Sequence, residues 1–139
     1  MMVLTGGCLC GAVRYRIKGD LADEGAGFCH CRVCQRSSGA PVVAWGTFRT
    51  ADFRFTQGQP AEFRSSPKGV RQFCPACGTQ LTFAYTEGPA VLDVTLASLE
   101  DPALIVPEYH SWTSSAVPWL KLVDDLPRHA DGGGDFTPY

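Results

Sequence analysis

The chain has 139 residues, a length at which one domain buries about two-thirds of its unfolded surface. Its formal net charge is −2 with Lys and Arg scattered along it, which argues against a nucleic-acid footprint, because phosphate binding wants a concentrated basic patch. The opening Met1 to Gly7 has no basic leader ahead of a long apolar core, and no run approaches the roughly 18 to 20 apolar residues of a membrane span, so the chain reads as cytoplasmic without a membrane partner.

In chain order, Gly6-Gly7-Cys8-Leu9-Cys10-Gly11 comes first, with glycines that let the backbone curl and aim N–H groups at sulfur. Ala12 to Ile17 alternates, with Val13, Tyr15 and Ile17 on one face and Arg14 and Arg16 on a wet face, which predicts a half-buried strand. Lys18 to Gly27 is polar and glycine-containing and reads as a loop. It leads into Phe28-Cys29-His30-Cys31-Arg32-Val33-Cys34, three thiols within six positions followed by a short helical turn. Strands are predicted over 41–49, 52–56, 61–64, 70–73, 79–85 and 91–96, with turns at 57–60 and 65–69. Cys74-Pro75-Ala76-Cys77-Gly78 is a tight thiol knuckle. A second helical turn is predicted near Asp101-Pro102-Ala103, where Asp caps and Pro suits a first helical position. The pattern is all-β and mainly antiparallel. One domain spans 5–128, and 129–139 is a Gly-rich tail expected to be flexible.

Seven cysteines cannot all pair as disulfides, and their spacing as Cys8-x-Cys10, Cys29-x-Cys31-x-x-Cys34 and Cys74-x-x-Cys77 is that of metal ligands. Structural zinc takes four protein ligands, so Cys8, Cys10, Cys74 and Cys77 are grouped as one closed site that ties distant segments together. Cys29, Cys31 and Cys34 then form a three-thiolate cup with a position for water or a substrate thiol, and two zinc ions per chain are expected. His30 sits between two of these ligands and has difficulty reaching a metal they share, while a second copy of the chain remains an open source of a fourth ligand. His110, flanked by aromatics, is either a proton carrier at the cup or a hydrogen-bonded histidine packed beside Trp112. His129 is expected to be solvated. Arg32, Arg36, Ser37 and Ser38 lie beside the cup in sequence and are candidates for binding a carboxylate of the substrate.

The series Gly7-Cys8-x-Cys10-Gly11, Cys29-His30-Cys31-x-x-Cys34-x-x-Ser37-Ser38-Gly39, Phe73-Cys74-x-x-Cys77-Gly78-Thr79-x-Leu81, His110-x-Trp112 and Trp119 resembles the glutathione-dependent formaldehyde-activating enzyme family, which includes centromere protein V. The resemblance covers about Thr5 to Arg128. It implies a zinc-stapled β-tent type of fold, a structural zinc on Cys8, Cys10, Cys74 and Cys77, a catalytic zinc on Cys29, Cys31 and Cys34, and a carbon–sulfur lyase. The expected partners are a small thiol such as glutathione and a small aldehyde. Two other readings stay open: a zinc-stapled interaction module without chemistry, and a redox sensor in which the three clustered thiols release zinc and oxidise.

Overall fold

The computed structural model describes residues 2–87 and 90–132. In chain order its strands are β1 (Val3–Gly7), β2 (Arg14–Lys18), β3 (Leu21–Cys29), β4 (Val43–Arg49), β5 (Phe53–Gln57), β6 (Ala61–Ser66), β7 (Gly69–Phe73), β8 (Gln80–Tyr85), β9 (Val91–Thr95) and β10 (Tyr109–Ser111). One helix, α1 (Arg32–Ser38), follows β3. The small sheet runs β1-β2-β5 and the large one β10-β3-β4-β9-β8-β7-β6. Pairing is antiparallel throughout except between β10 and β3, which run parallel. Among the described residues the fold is therefore the expected mainly antiparallel, all-β one, with one short α-helix and a few 3₁₀ turns.

The main core lies between the two sheets. Leu4, Tyr15 and Ile17 from the small sheet meet Phe48, Leu92 and Val94 from the large one, all buried. Each such side chain removed from water contributes roughly 1.5–3 kcal/mol. Because side chains alternate across a strand, the residues between those core positions face the other way. Trp45 and Thr47 of β4 and Asp93 of β9 project from the opposite face of the large sheet into a cavity. A second apolar cluster forms there, made of Trp45, Phe83, Cys31 and Cys34 with Trp112 packed against it.

The helix after Cys31 forms because that cysteine is its N-cap, its Sγ accepting from the Cys34 N–H at 3.2 Å. Gly39 ends it in the left-handed region at φ 72°, donating its N–H to the Gln35 carbonyl. At the second predicted turn, Asp101 accepts from the Ala103 N–H at 3.1 Å and opens a 3₁₀ turn over Pro102–Leu104. Of the two arginines on β2, Arg14 forms an ion pair with Glu100.

Three expectations need correction. The stretch from Lys18 to Gly27, read as a loop, is mostly β3. Its polar residues fall in an irregularity, since the register with β4 moves from Leu21↔Phe48 to Ala26↔Gly46, so Ala22 to Gly25 bulge between two paired stretches. A bulge erases alternation without ending a strand. β1 and β10 carry no clear pattern of their own and were not foreseen, because both are short and are held by their neighbours. The tail expected from 129 onward is tied down at its start: the His129 N–H donates to the His110 carbonyl, and the Trp112 N–H donates to the Asp131 carbonyl. Residues 133–139 of that tail lie outside the described ones. Among the described residues no helix is long and apolar enough to cross a membrane.

Candidate metal centres and active-site cavity

The structure brings the seven thiols into the two groups their spacing suggested, and none is in a disulfide. Cys8, Cys10, Cys74 and Cys77 have sulfurs all within 4.8 Å of one another. Cys10 lies 3.7 Å from Cys8 and 3.8 Å from Cys74, sulfur to sulfur. Tetrahedral bonds of about 2.3 Å place sulfurs about 3.8 Å apart, so the four fit a zinc-sized ion.

Two backbone knuckles build this group in the same way. The Val13 N–H donates to Cys8 Sγ at 3.2 Å and the Cys77 N–H to Cys74 Sγ at 3.4 Å. Gly11 and Gly78 take φ of 82° and 79°, which a side chain would resist, and so turn the chain past each thiol pair. Hydrogen bonding to Thr79 pushes the Cys77 thiol down to about 5, toward the thiolate a metal needs.

The sulfurs of Cys29, Cys31 and Cys34 also lie within 4.8 Å of one another. Cys29 ends β3, Cys31 caps α1 and Cys34 lies in its first turn, so a strand end and a helix start converge. Hydrogen bonds from the Cys29 and Cys31 thiols, with the Arg71 guanidinium at 3.5 Å, push the Cys34 thiol well down. Cys29 moves the opposite way, chiefly because of its bonds to Cys31 and Cys34. Three soft sulfur donors so close together, with Cys34 biased toward the thiolate, fit a zinc ion, and among the described residues this group offers three ligands where the other offers four.

The three thiols line a cavity of about 510 Å³. Its walls are aromatic, from Trp45, Phe83, Tyr85, Tyr109 and Trp112, and its charged groups are Glu24, Lys68, Arg71 and Asp93. Gly27 is required at the wall: a Cβ there would come within 2.3 Å of the Tyr109 ring. Arg71, on β7, is buried with its guanidinium 5.8 Å from the Trp45 ring centre and 5.2 Å from that of Phe83. It also donates to Ser65 and Ser37.

His110 is not at the cup. On β10 its neighbours Tyr109 and Ser111 line the cavity, so alternation turns His110 to the far side, 1% exposed and stacked on Phe28. Its Nδ1 lies 2.8 Å from Nε2 of His30, and its Nε2 is 3.0 Å from Asp124. Arg128 in turn binds Asp124 at 3.0 Å. The hydrogen bond from His110 holds the Asp124 carboxyl below its usual range, and burial pushes His30 down. The proton-carrier expectation for His110 therefore gives way to a buried hydrogen-bonded one, and His30 lies outside the thiol group. His129 is exposed, as expected.

Arg32, Arg36, Ser37 and Ser38 are likewise absent from the cavity lining. Arg32 donates to Gln35, and both serines donate to the Cys34 carbonyl, so they hold the helix rather than face the cavity. The cations at the cavity are instead Lys68 and Arg71. Arg71 left no signal in sequence, because the short run Val70-Arg71-Gln72-Phe73 does not say which of its faces meets water. Asp93 did leave one, as a lone carboxylate inside the apolar Val91-Leu92-Asp93-Val94. Gln35 was also missed; its side-chain amide bonds the carbonyls of His30, Pro41 and Ser115, and so locks the loop that carries the thiols.

The pattern of the family described as glutathione-dependent formaldehyde-activating enzyme matches residues 3–115. The chain belongs to that family. An uncharacterized lyase of Schizosaccharomyces pombe is 31% identical over 83 residues, which cover 60% of this chain and 58% of that protein. The chain thus matches little more than half the length of this relative. The crystal structure of a Rhodobacter sphaeroides protein superposes with a TM-score of 0.58 at 27% identity, covering 69% of this chain and 87% of that one. The family match spans both thiol groups and every lining residue of the cavity but Gly132, whereas Asp124 and Arg128, which fix His110, lie beyond it.

Proposed function

We propose that this chain is a zinc-dependent lyase that makes and breaks the carbon–sulfur bond of a thiol–aldehyde adduct. The observation that carries the reading is the contrast in ligand number: a three-thiol group opens on a 510 Å³ cavity, while a complete four-thiol group lies elsewhere. Membership of a family described by glutathione and formaldehyde, and a relative named a lyase, support the same chemistry. Cys8, Cys10, Cys74 and Cys77 would hold a structural zinc. Cys29, Cys31 and Cys34 would hold the working one, which when bound supplies a Lewis acid that favours the thiolate form of a substrate sulfur.

The chain's own residues prepare that position. Arg71 beside Cys34 offsets the negative charge gathered by three thiolates. The walls of Trp45, Phe83 and Trp112 displace water from the thiols and strengthen each electrostatic contact there. Lys68 and Arg71 give the cavity affinity for a thiol that bears carboxylates, such as glutathione. Seven unpaired thiols suit a reducing compartment, which we take to be the cytoplasm.

Chain purified without chelator is expected to hold two zinc ions, and to speed exchange between glutathione plus formaldehyde and their S-hydroxymethyl adduct in magnetisation-transfer NMR. A consistent content of one zinc, or exchange no faster than in buffer, would overturn the reading.

A further inference from the structure

The reaction proposed above needs a group that moves a proton at the adduct hydroxyl, and His110 faces away from the cavity. Few lining groups can serve. Arg71 is a guanidinium already engaged with Ser65, Ser37 and Cys34, with donors and no acceptor to offer. Lys68 and Glu24 are exposed, one on the turn between β6 and β7 and the other on the bulge of β3. Tyr85 and Tyr109 are phenols that burial pushes further up. The three thiols are the expected metal ligands.

Asp93 differs from all of these. It stands on β9 in the interior of the large sheet, between β4 and β8, and lines the same cavity as the thiols. Its Oδ1 accepts from Thr47 Oγ1 at 2.6 Å, which fixes the carboxyl in place. Oδ2 takes no hydrogen bond from the described residues, and Asp93 is half-buried at the cavity wall, so Oδ2 is the oxygen free to meet a ligand. We propose that Asp93 is the catalytic residue that accepts the hydroxyl proton as the adduct breaks and returns it as the adduct forms, with Thr47 as its positioning residue.

This assignment rests on the lyase reading. In the breaking direction the O–H proton passes to the Asp93 carboxylate, the oxygen's electrons form the C=O bond, and the C–S pair leaves with sulfur as a thiolate. The products are an aldehyde, a thiolate and a protonated Asp93. In reverse, the thiolate adds to the carbonyl carbon and Asp93 gives its proton to the new alkoxide. No oxidant or reductant is needed.

Burial pushes the Asp93 carboxyl up to about 6, against the lowering effect of the Thr47 hydrogen bond. Cys34 of α1 and Glu24 of β3 raise it further, and Arg71 of β7 lowers it. Lys68 and the phenols of Tyr85 and Tyr109 complete the ionisable groups that face it beyond the cup. A carboxyl titrating near 6 is matched to proton transfer near neutrality, for which general acid–base catalysis typically contributes about 10²–10⁴-fold.

The test uses zinc-loaded full-length chain and S-hydroxymethylglutathione made from glutathione and formaldehyde. Asp93→Asn keeps an acceptor for Thr47 and is expected to slow adduct breakdown at least about 100-fold, to remove the rate limb near pH 6, and to leave zinc content and glutathione affinity unchanged. Asp93→Glu should retain part of the rate. Thr47→Val should move the limb to higher pH, since the bond it removes holds the carboxyl down; this variant keeps the proposal open to refutation should Asp93→Asn fail to fold. In the wild type, ¹³C NMR of the Asp93 carboxyl should titrate near 6 and respond to glutathione. An Asp93→Asn variant that breaks the adduct at the wild-type rate with the limb intact overturns the assignment while the lyase reading stands. A wild type that does not accelerate breakdown overturns both.

Discussion

The two thiol groups share one donor chemistry and are anchored in the fold in opposite ways. One draws Cys8 and Cys10 from the β1–β2 connection and Cys74 and Cys77 from the β7–β8 connection, and so clamps the small sheet to the large one. The other takes all three thiols from one run of chain that a helix cap already shapes. A metal that joins distant segments acts on the folding equilibrium, whereas one held by a local run acts on what can happen in the cavity beside it.

Mutation of each group is the sharpest way to break this comparison. Cys10 and Cys74 are 64 positions apart, and structural zinc contributes roughly 10 kcal/mol or more of apparent binding energy to folding. Cys74→Ser should therefore yield insoluble or unfolded chain, as seen by circular dichroism and recovery from the soluble fraction. Cys31→Ser should lose one zinc and all turnover while melting cooperatively within a few degrees of the parent. If Cys31→Ser unfolds and Cys74→Ser stays folded and active, the two roles are reversed.

A smaller effect is expected where the cavity would support the zinc proposed for it. Arg71→Met keeps the packing between Trp45 and Phe83 but removes the donor to Cys34. Outer partners of this kind typically change metal affinity by about 10–100-fold. Competition with a chromophoric chelator should show that loss for one of the two zinc ions, and equal retention of both by the variant would remove Arg71 from this role.

The smallest effect concerns stability against pH at the cavity wall. The Asp93 carboxyl has an ordinary value of 3.8 and is raised to about 6 in the fold. Between those values the folded state holds the proton more tightly, so stability falls as pH rises through the window, and the cost is complete above it. Replacement by Asn should therefore stabilise the chain at pH 8 by about 1 kcal/mol, after allowance for the partly open cavity, or a few degrees in Tm. At pH 3.5 the two proteins should melt closer together. A gain that is the same at both pH values would mean that the carboxylate is not strained in the fold.

Sequence alone determined what depends on covalent neighbours. The three local thiol clusters follow from spacing, because Cys-x-Cys and Cys-x-x-Cys keep sulfurs close whatever the rest of the chain does, whereas the pairing of Cys8 and Cys10 with Cys74 and Cys77 follows from the ligand count of zinc and is made by the fold. The strands of β2 and β5 were legible because each alternates, those of β4 and β9 because they are rich in β-branched and apolar residues at strand length, and the turn at Cys31 because a capping side chain acts within three residues. Tertiary structure alone decided which side of a strand faced what. Arg71 drew no reading of its own, because the short run Val70-Arg71-Gln72-Phe73 does not say whether water or a cavity lies over it. His110 read as a candidate at the cup because its neighbours are aromatic, yet a three-residue strand paired in parallel with β3 turned it toward Asp124, a residue outside the family match. Asp93 became a group of the cavity only when β4 and β8 closed on either side of β9, removing water from a carboxylate that the chain, read locally, leaves exposed.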